Sequence, residues 1–259
     1  TGLVGSHLLF ELSKSQQNIR AIYRTKKTIE TVKTIFSYYT DSVDAHFDQI
    51  EWMEADLNDI PKLTEAFEGV QQVYHCAALI SFDPSDYYKL RETNISGTAN
   101  IVNLCIINAI EKLCYVSSVA TMGYDPIKIT EETAWNSEDK QGVYAITKYE
   151  AEMEVWRGIQ EGVPSVIVNP GVILGPGFFE SGSGELFKRV HKGLRYATHG
   201  IAGYVGVVDV IKSMVLLMNS DCKNERYIIV AENLSSLDFT TLISNVFKQE
   251  PPKKIARKW

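Results

Sequence analysis

The residues Tyr144 and Lys148 stand four positions apart in the run Tyr144-Ala145-Ile146-Thr147-Lys148. Residues four apart on a helix share a face, so this phenol and this ammonium can enter one pocket. A fixed positive charge favours the phenolate and lowers the pKa of a tyrosine from its reference value of about 10. The spacing therefore predicts a group that exchanges a proton with a carbonyl or an alcohol.

A second candidate for chemistry is the glycine turn Thr1-Gly2-Leu3-Val4-Gly5. Its two glycines have the spacing of the later part of a dinucleotide-binding turn, where the backbone approaches a pyrophosphate at the start of a helix. We expect the first glycine of that turn and an apolar strand upstream of Thr1, outside this sequence, and we expect cofactor binding to be compromised without them.

The elements that must position these groups alternate between helices and strands. Apolar strands are predicted around 19–24, 52–57, 70–78, 113–118 and 165–168, with helical segments between them that include a long helix over 85–109. Strands with apolar rather than alternating composition are typical of a parallel sheet covered on both faces. The predicted fold class is α/β, a doubly wound parallel sheet of the Rossmann type whose first strand lies before Thr1.

The composition changes near Gly175 and indicates a smaller second region. The segment 175–177 and the Gly/Ser segment 181–184 are predicted loops, the latter a lid or a plain flexible connection. We expect a dinucleotide-binding domain over 1–174 and a mainly substrate-binding region over 175–259, with segments around 205–220 packing back on the first domain. Helices are predicted over 207–218 and 235–248.

The overall composition excludes several classes of function. The chain has 259 residues and a formal net charge of −6, which argues against a nucleic-acid partner because such a partner requires a strongly basic face. No apolar run reaches the length of a membrane span, and the four cysteines lack metal-type or disulfide-type spacing. We expect a cytoplasmic protein with reduced thiols, no bound metal and a small-molecule carbonyl or alcohol substrate.

The residues after the predicted strand at 19–24 bear on the choice of dinucleotide. An acidic residue there binds the ribose hydroxyls of NAD, whereas a basic residue accommodates the 2′-phosphate of NADP. Here Arg24 ends the strand, with Lys26 and Lys27 close by. The sequence favours NADP(H), with NAD(H) possible; a solvated basic loop is the alternative interpretation.

The ends of the next two strands offer further cofactor contacts. Asp56 and Leu57 stand where the sheet edge would meet an adenine, although Asp56 could instead cap its own loop. Cys76, Ala77 and Ala78 have small side chains that let the backbone approach a ribose.

Two polar residues lie within otherwise apolar segments. We expect His75 in the core, and we expect Asn94 to bend its helix or hold a water unless it lies at the surface.

The chain resembles the extended short-chain dehydrogenase/reductase superfamily of NAD(P)-dependent epimerases and dehydratases, and most closely its dihydroflavonol-4-reductase-like branch. The segments that carry this resemblance are in family order and cover nearly the whole sequence: 1–5, 56–57, 93–100, 117–123, 144–148 and 169–176, with 150–158 and 204–210 for the branch.

The resemblance implies roles for single residues. The family's catalytic hydroxyl falls on Ser118, its tyrosine on Tyr144 and its lysine on Lys148. Tyr144 would give a proton to the carbonyl oxygen and Ser118 would bind that oxygen. Lys148 would lower the pKa of Tyr144 and hold the nicotinamide ribose, and the segment from Pro170 to Ile173 would pack against the nicotinamide.

Two sets of candidate binding residues follow. The cofactor set is Gly2, Leu3, Val4, Gly5, Arg24, Lys27, Asp56, Leu57, Cys76, Ala77, Ala78, Ser117, Tyr144, Lys148, Pro170, Gly171, Val172 and Ile173. The substrate set, mostly apolar and aromatic, is Ser81, Phe82, Met122, Tyr124, Phe178, Phe179 and Tyr204.

The leading hypothesis is an NADPH-dependent oxidoreductase that reduces a ketone or aldehyde of a mid-sized, fairly apolar substrate. Two alternatives stay open: a sugar-nucleotide epimerase that retains NAD, and a non-catalytic regulator that senses NADP. Val119 and Ala120 occupy places where the dehydratase branch carries an Asp-Glu pair, which counts against dehydration. Arg24 counts against retained NAD, and the presence of Tyr144 and Lys148 counts against a regulator. The resemblance also suggests a homodimer.

Overall fold

A computed structural model describes residues 1–15 and 17–256 of the chain. The predicted second region, 175–259, is therefore described as far as residue 256, and Arg257, Lys258 and Trp259 lie outside the described residues, as does Gln16. The helices are α1 (Leu3–Leu12), α2 (Lys26–Phe36), α3 (Val43–Phe47), α4 (Ile60–Phe67), α5 (Tyr87–Leu90), α6 (Gly97–Ile107), α7 (Val143–Gln160), α8 (Gly182–His191), α9 (Val207–Met218) and α10 (Ser236–Val246). The strands are β1 (Ile19–Tyr23), β2 (Ile50–Glu54), β3 (Gln72–His75), β4 (Lys112–Val116), β5 (Ser165–Pro170), β6 (Val172–Leu174), β7 (Tyr196–Ala197), β8 (Ile201–Gly206), β9 (Glu225–Ile229), β10 (Glu232–Ser235) and β11 (Lys254–Ile255).

The ends of the parallel strands define one edge of the sheet. Strands β3, β4, β5 and β9 form a parallel sheet in that order, and β1 pairs parallel with β2. The segments that follow parallel strands emerge at the same edge, which is where ligands bind in open α/β sheets. The predicted α/β fold with a parallel sheet is confirmed, while the strand expected before Thr1 stays a prediction.

The central strands are apolar because helices cover both faces of the sheet. Every residue of β4 and β5 is buried, and successive side chains point to opposite faces. Leu113, Tyr115 and Ile167 pack with residues of α4, α6 and α7, whereas Cys114 and Val166 pack with residues of α1 and α9. This arrangement is the doubly wound layering that the apolar strand composition predicts.

The long helix predicted over 85–109 is wrong in detail. The segment consists of a 3₁₀ turn at Pro84–Asp86, α5, a π-helical turn at Arg91–Ser96 and α6. A π-helical turn changes the direction of the side chains that follow it, and such turns are frequent at functional sites. Here it carries Asn94, which is 1% exposed, so the surface position is wrong, while a helix-bending or water-holding role stays a prediction.

The second region is built on a smaller sheet. Strands β10, β8 and β6 form it, and α8 and α10 pack together beside it. The loop predicted over 181–184 is wrong because α8 begins at Gly182. The helix predicted over 207–218 is confirmed as α9, which packs on α1, β4 and β5. The division of the chain into two domains stays a prediction.

Candidate active site

Tyr144 lies in the first turn of α7, beside the segment that follows β4. Burial disfavours the phenolate and raises the pKa of Tyr144 above its ordinary value, while a hydrogen bond with the Ser118 side chain acts in the opposite direction. The ring of Phe82 packs edge-on against the Tyr144 ring, with centroids 5.6 Å apart. The structure therefore brings Ser118 and Tyr144 together next to an exposed aromatic side chain, and Phe82 is 78% exposed.

Ser118 is held by its own turn. It caps the 3₁₀ turn Val119–Thr121, and its Oγ accepts a hydrogen bond from the Ala120 N–H at 3.1 Å. Its carbonyl accepts from the Thr121 N–H at 3.1 Å. A hydroxyl has one proton to donate as well as lone pairs to accept, so with an N–H bound to its oxygen the Ser118 hydroxyl can still donate to the phenol or to a substrate oxygen.

Lys148 lies one helical turn after Tyr144 and is 1% exposed. Its Nζ donates to Tyr115 Oη at 2.6 Å and to the Val116 carbonyl at 3.0 Å. Burial lowers the pKa of Lys148 to about 7, although the Glu152 carboxylate pulls it upward. Among the described residues the ammonium is hydrogen-bonded to Tyr115 and Val116, and the lowering of the Tyr144 pKa by Lys148 stays a prediction.

The base of the Lys148 site is a buried polar stack. Lys148 Nζ lies 4.4 Å from the centre of the Tyr115 ring, and that ring stacks on His75 with centroids 5.3 Å apart. His75 Nε2 is 2.9 Å from Thr98 Oγ1, and burial together with the Lys148 charge lowers the pKa of His75 to about 3. His75 is a neutral core residue, as its position in the sequence predicts.

The start of α1 offers room for a phosphate. Gly2 precedes the helix in an extended conformation with no side-chain cap, and the first N–H groups of a helix have no intrahelical partner. A Cβ at Gly2 would meet nothing within 4 Å, and one at Gly5 would only touch Cys76 Cβ at 4.0 Å. These features fit the diphosphate end of a dinucleotide.

The basic residues that suggest NADP lie together. Arg24 directly follows β1 and is exposed. Lys26 and Lys27 are in the first turn of α2, which has no acidic residue and no side-chain cap at its start. Positive side chains are unfavourable at the positive end of a helix, so a bound anion would compensate for them.

The remaining predicted adenosine contacts fall into three kinds. Asp56 Oδ1 accepts from the Asn58 N–H at 3.0 Å, which is the loop-capping alternative. Leu57 is 7% exposed and belongs to the core. Ala77 and Ala78 are exposed after β3. Contacts of these residues with an adenine or ribose stay predictions.

Asn94 holds the segment that follows Cys76, Ala77 and Ala78. Its Oδ1 accepts from the Leu79 N–H at 2.7 Å, and its Nδ2 donates to the Leu79 carbonyl at 3.1 Å and to Thr147 Oγ1 at 3.3 Å. One amide thus ties the end of β3 to α7. Burial raises the pKa of the neighbouring Cys76 to about 12, which keeps it a thiol.

The end of β5 is shaped by a close approach of two backbones. A Cβ on Gly171 would lie 2.3 Å from the Gly203 carbonyl oxygen. Pro170 is buried, and Val172 and Ile173 are half-buried in β6. Gly171 therefore has a packing reason to be glycine, independent of any contact with a nicotinamide.

We expect Gly171→Ala to destabilise the protein by about 1–3 kcal/mol, because an overpacked site forces the backbone to shift. The free energy of unfolding from urea titration measures this. Gly142→Ala is the matched control, since a Cβ there would meet nothing within 4 Å. Equal stability of the two variants would contradict the close approach.

The predicted substrate residues do not all reach the surface beside Tyr144. Phe82, Tyr124 and Phe179 are exposed and Phe178 is half-buried, while Ser81 Oγ donates to Asp86 Oδ2 at 2.8 Å. Met122 and Tyr204 are 4% and 9% exposed. Tyr204 stacks on Phe239 with centroids 4.1 Å apart, in the interior of the second region.

Sequence reasoning missed the buried carboxylate of Glu152 and its guanidinium partner Arg226, whose nearest atoms are 3.0 Å apart. A signal for Glu152 existed, because it continues the spacing of Tyr144 and Lys148 by four more residues along α7. No signal existed for Arg226, which comes from β9. Among the described ranges, no helix could cross a membrane and no group of His, Cys, Asp and Glu could hold a metal ion.

A parallel sheet with a glycine turn at the start of α1 is typical of nucleotide-binding α/β proteins. The chain matches the NAD dependent epimerase/dehydratase family over residues 1–229 and belongs to that family. This confirms the resemblance to the extended short-chain dehydrogenases/reductases, and the protein is an NAD(P)-dependent oxidoreductase.

Two similar proteins are named as reductases, and one solved structure shares the fold. A Synechocystis sp. protein provisionally named dihydroflavonol 4-reductase is 28% identical over 100% of this chain and 74% of its own length. Cinnamoyl-CoA reductase 1 of Petunia hybrida is 26% identical over 76% of this chain and 62% of its own length. The crystal structure of a DesIV double mutant, a dTDP-glucose 4,6-dehydratase of Streptomyces venezuelae with NAD bound, has a TM-score of 0.82 at 16% identity, over 99% of this chain and 82% of its own.

Proposed function

We propose that the protein is an NADPH-dependent reductase that converts a ketone or aldehyde of a mid-sized, fairly apolar substrate into an alcohol. The observation that carries this proposal is the interaction of the Ser118 hydroxyl with the Tyr144 phenol beside the exposed ring of Phe82. A bound nicotinamide dinucleotide supplies the hydride.

The chain's own residues supply the proton and hold the substrate oxygen. Because burial raises the pKa of Tyr144, its phenol is protonated at neutral pH and can act as a general acid toward a carbonyl oxygen. The Ser118 hydroxyl donates to the same oxygen and stabilises the charge that develops there. The Lys148 ammonium, one turn away on α7, favours the phenolate that remains after proton transfer.

The dinucleotide would be held by the start of α1 and by the residues after β1. The free N–H groups of the first turn of α1 suit the pyrophosphate. Arg24, Lys26 and Lys27 suit the 2′-phosphate that distinguishes NADPH from NADH. The N-terminus of α2 adds a favourable dipole for that anion.

We expect Arg24→Asp to reverse the preference between the two dinucleotides. The substitution replaces a partner of the 2′-phosphate by a carboxylate that repels it, so the ratio of NADPH to NADH affinity should fall by about tenfold or more. Dissociation constants measured from quenching of tryptophan fluorescence give this ratio without any substrate. Arg20→Gln is a suitable control, because Arg20 bonds Glu51 at 2.8 Å on the rim of the sheet. An unchanged ratio of NADPH to NADH affinity in Arg24→Asp would show that Arg24 is a solvated surface residue that does not bind the 2′-phosphate.

The side chain exposed beside Tyr144 favours an apolar substrate. Phe82 is 78% exposed, and its ring packs edge-on against the Tyr144 ring. Relatives named dihydroflavonol 4-reductase and cinnamoyl-CoA reductase carry aromatic substrates in their names, which supports aromatic aldehydes and ketones as the first compounds to assay.

The proposal is tested by assaying a panel of aldehydes and ketones with NADPH and with NADH. The assay uses the purified full-length protein, including any residues that precede Thr1 or follow Trp259. Oxidation of NADPH with at least one carbonyl compound is expected. Purification of the protein with NAD bound, together with no NADPH oxidation across the panel, would instead support the epimerase alternative and contradict the reductase.

Assembly as a homodimer is proposed from the resemblance alone. Sedimentation equilibrium of the purified protein measures it directly, and a single monomeric species would contradict it.

A further inference from the structure

A carboxylate with no exposure to solvent lies behind the candidate catalytic residues. Glu152 is 0% exposed on α7. Its Oε2 accepts from Ser117 Oγ at 2.6 Å, from Thr121 Oγ1 at 2.8 Å and from Asn169 Nδ2 at 2.8 Å. These three donors come from the segment after β4 and from the end of β5, so one oxygen joins both strand ends to the helix.

The other carboxylate oxygen faces a different set of donors. Oε1 of Glu152 accepts from Arg226 Nη1 at 3.0 Å and from Trp156 Nε1 at 3.2 Å. Nε of Arg226 donates to the Glu131 carbonyl at 2.8 Å, and the backbone N–H of Ile228 donates to the Glu131 side chain at 2.9 Å. Glu131 belongs to the segment that leads into α7, so the network also anchors the entry to the Tyr144 helix.

The same donors reach Ser118. The Ser118 carbonyl accepts from Thr121 Oγ1 at 2.8 Å and from Asn169 Nδ2 at 3.2 Å. Thr121 has one hydroxyl proton, which is shared between the Ser118 carbonyl and Glu152. Ser118 is therefore fixed through its backbone by two side chains that Glu152 itself orients.

General stability does not explain this network. Replacement of a buried ion pair by apolar residues is often neutral or stabilising, because the loss of hydration offsets the attraction between the charges. The pair of Glu152 and Arg226 nevertheless occurs where the segments carrying Ser118, Tyr144 and Lys148 meet. Both oxygens of Glu152 are hydrogen-bonded in this network, although Asn169 Oδ1 has no partner among the described residues. Buried hydrogen bonds of this kind restrict the arrangement of the groups that they join.

We propose that Glu152 is a positioning residue that fixes Ser118 against Tyr144 and places a negative charge one helical turn from Lys148. The inference rests on the proposed function, because it assigns a task to Glu152 in the same site.

The effect of the Glu152 charge on Lys148 depends on the other ionisable groups that face the ammonium. The groups around the ammonium are His75 and Cys76 from the end of β3, Tyr115 from β4, and Glu152 from α7 itself. Burial lowers the pKa of His75 to about 3 and raises that of Cys76 to about 12, and it also raises the pKa of Tyr115. These three groups are neutral near pH 7, so Glu152 is the carboxylate that favours the ammonium among the described residues around it.

Three variants separate geometry from charge. Glu152→Gln keeps the shape of the side chain and removes its charge. Thr121→Val keeps the Glu152 charge and removes the hydroxyl that reaches both Ser118 and Glu152. Glu154→Gln is the matched control, because this carboxylate is two residues away on the same helix and pairs with Arg157 at 2.9 Å outside the network.

Two measurements compare these variants without requiring catalytic activity. The first is the titration of Lys148 followed by the NMR signal of ¹³C-labelled lysine, assigned by its absence in Lys148→Met. The second is amide hydrogen exchange over residues 117–122 and 131–142. Where the protein reduces a carbonyl compound, the pH profile of kcat/KM is a third readout.

We expect Lys148 to titrate about one pH unit lower in Glu152→Gln, and at its original pH in Thr121→Val and Glu154→Gln. Exchange over 117–122 should be faster in Glu152→Gln and Thr121→Val, and unchanged in Glu154→Gln. In the active enzyme, the fall of kcat/KM at high pH should shift with the Lys148 titration in Glu152→Gln alone.

The result that overturns the inference is an unchanged Lys148 titration in Glu152→Gln, or exchange over 117–122 that matches the control. If Glu152→Gln does not fold, faster exchange over 117–122 in Thr121→Val supports the positioning role and unchanged exchange there contradicts it. Absence of carbonyl reduction by the unaltered protein contradicts the proposed function, whereas the titration and the exchange data still decide the role of Glu152.

Discussion

Replacement of Tyr144 by phenylalanine should lower kcat for carbonyl reduction by about 10²–10⁴-fold, the contribution that a positioned general acid makes. The ring contact with Phe82 at 5.6 Å does not need the hydroxyl, so the shape of the site should be kept. The dissociation constant of NADPH should change little, because the start of α1 and the residues after β1 are untouched. Steady-state kinetics and a fluorescence titration of the dinucleotide measure the two quantities.

The matched control for this prediction is Tyr149→Phe on the same helix. Tyr149 stacks on Trp135 with centroids 4.4 Å apart, away from Ser118, and loss of its hydroxyl should leave kcat unchanged. If Tyr144→Phe reduces carbonyl compounds as fast as the unaltered protein, another group supplies the proton and the assignment of Tyr144 fails. A large loss of NADPH affinity in Tyr144→Phe would instead indicate a binding role.

The sequence predicts the pairing of Tyr144 and Lys148 on one face of α7 because helical spacing is a local property. It cannot predict where the Lys148 ammonium is bound. Its partners Tyr115 and Val116 are 33 and 32 residues away in the chain, and they meet it only once α7 packs on β4. A direct action of Lys148 on the Tyr144 phenol therefore stays a prediction.

Long-range contacts also explain the other differences from prediction. Asn94 was visible as a polar residue in an apolar helix, but its partner Leu79 is 15 residues earlier and is reached through a π-helical turn, which has no clear sequence signal. Arg226 meets Glu152 across 74 residues. The glycine and serine composition near Gly182 predicts a loop, yet the segment forms the first turn of α8 because packing overrides local propensity.

Replacement of Lys148 by methionine, a side chain of similar length without charge, should lower kcat by about 100-fold or more, a loss comparable to that of one electrostatic donor in a preorganised site. The pH dependence gives the sharper test. The pKa of Lys148 is about 7, so the ammonium is present below pH 7 and is lost as the pH rises through 7. Because kcat/KM reports on the free enzyme, kcat/KM for reduction should fall above about pH 7 in the unaltered protein, and that fall should be missing in Lys148→Met.

The pH dependence of the free energy of unfolding tests the pKa of Lys148 independently of catalytic activity. The ordinary pKa of a lysine is 10.5 and the folded protein lowers that of Lys148 to about 7, so between these values the unfolded chain binds more protons than the folded one. The free energy of unfolding must then rise with pH across this range, and this rise should be smaller in Lys148→Met. Urea titrations at pH 7 and pH 10 for both proteins measure the difference, and Lys33→Met is the control, since Lys33 pairs with Asp44 at 2.8 Å on an exposed face. If the free energy of unfolding changes with pH in the same way in Lys148→Met and in the unaltered protein, the Lys148 ammonium is hydrated in solution. A desolvated ammonium beside Tyr115 could then not be the charge that favours the Tyr144 phenolate.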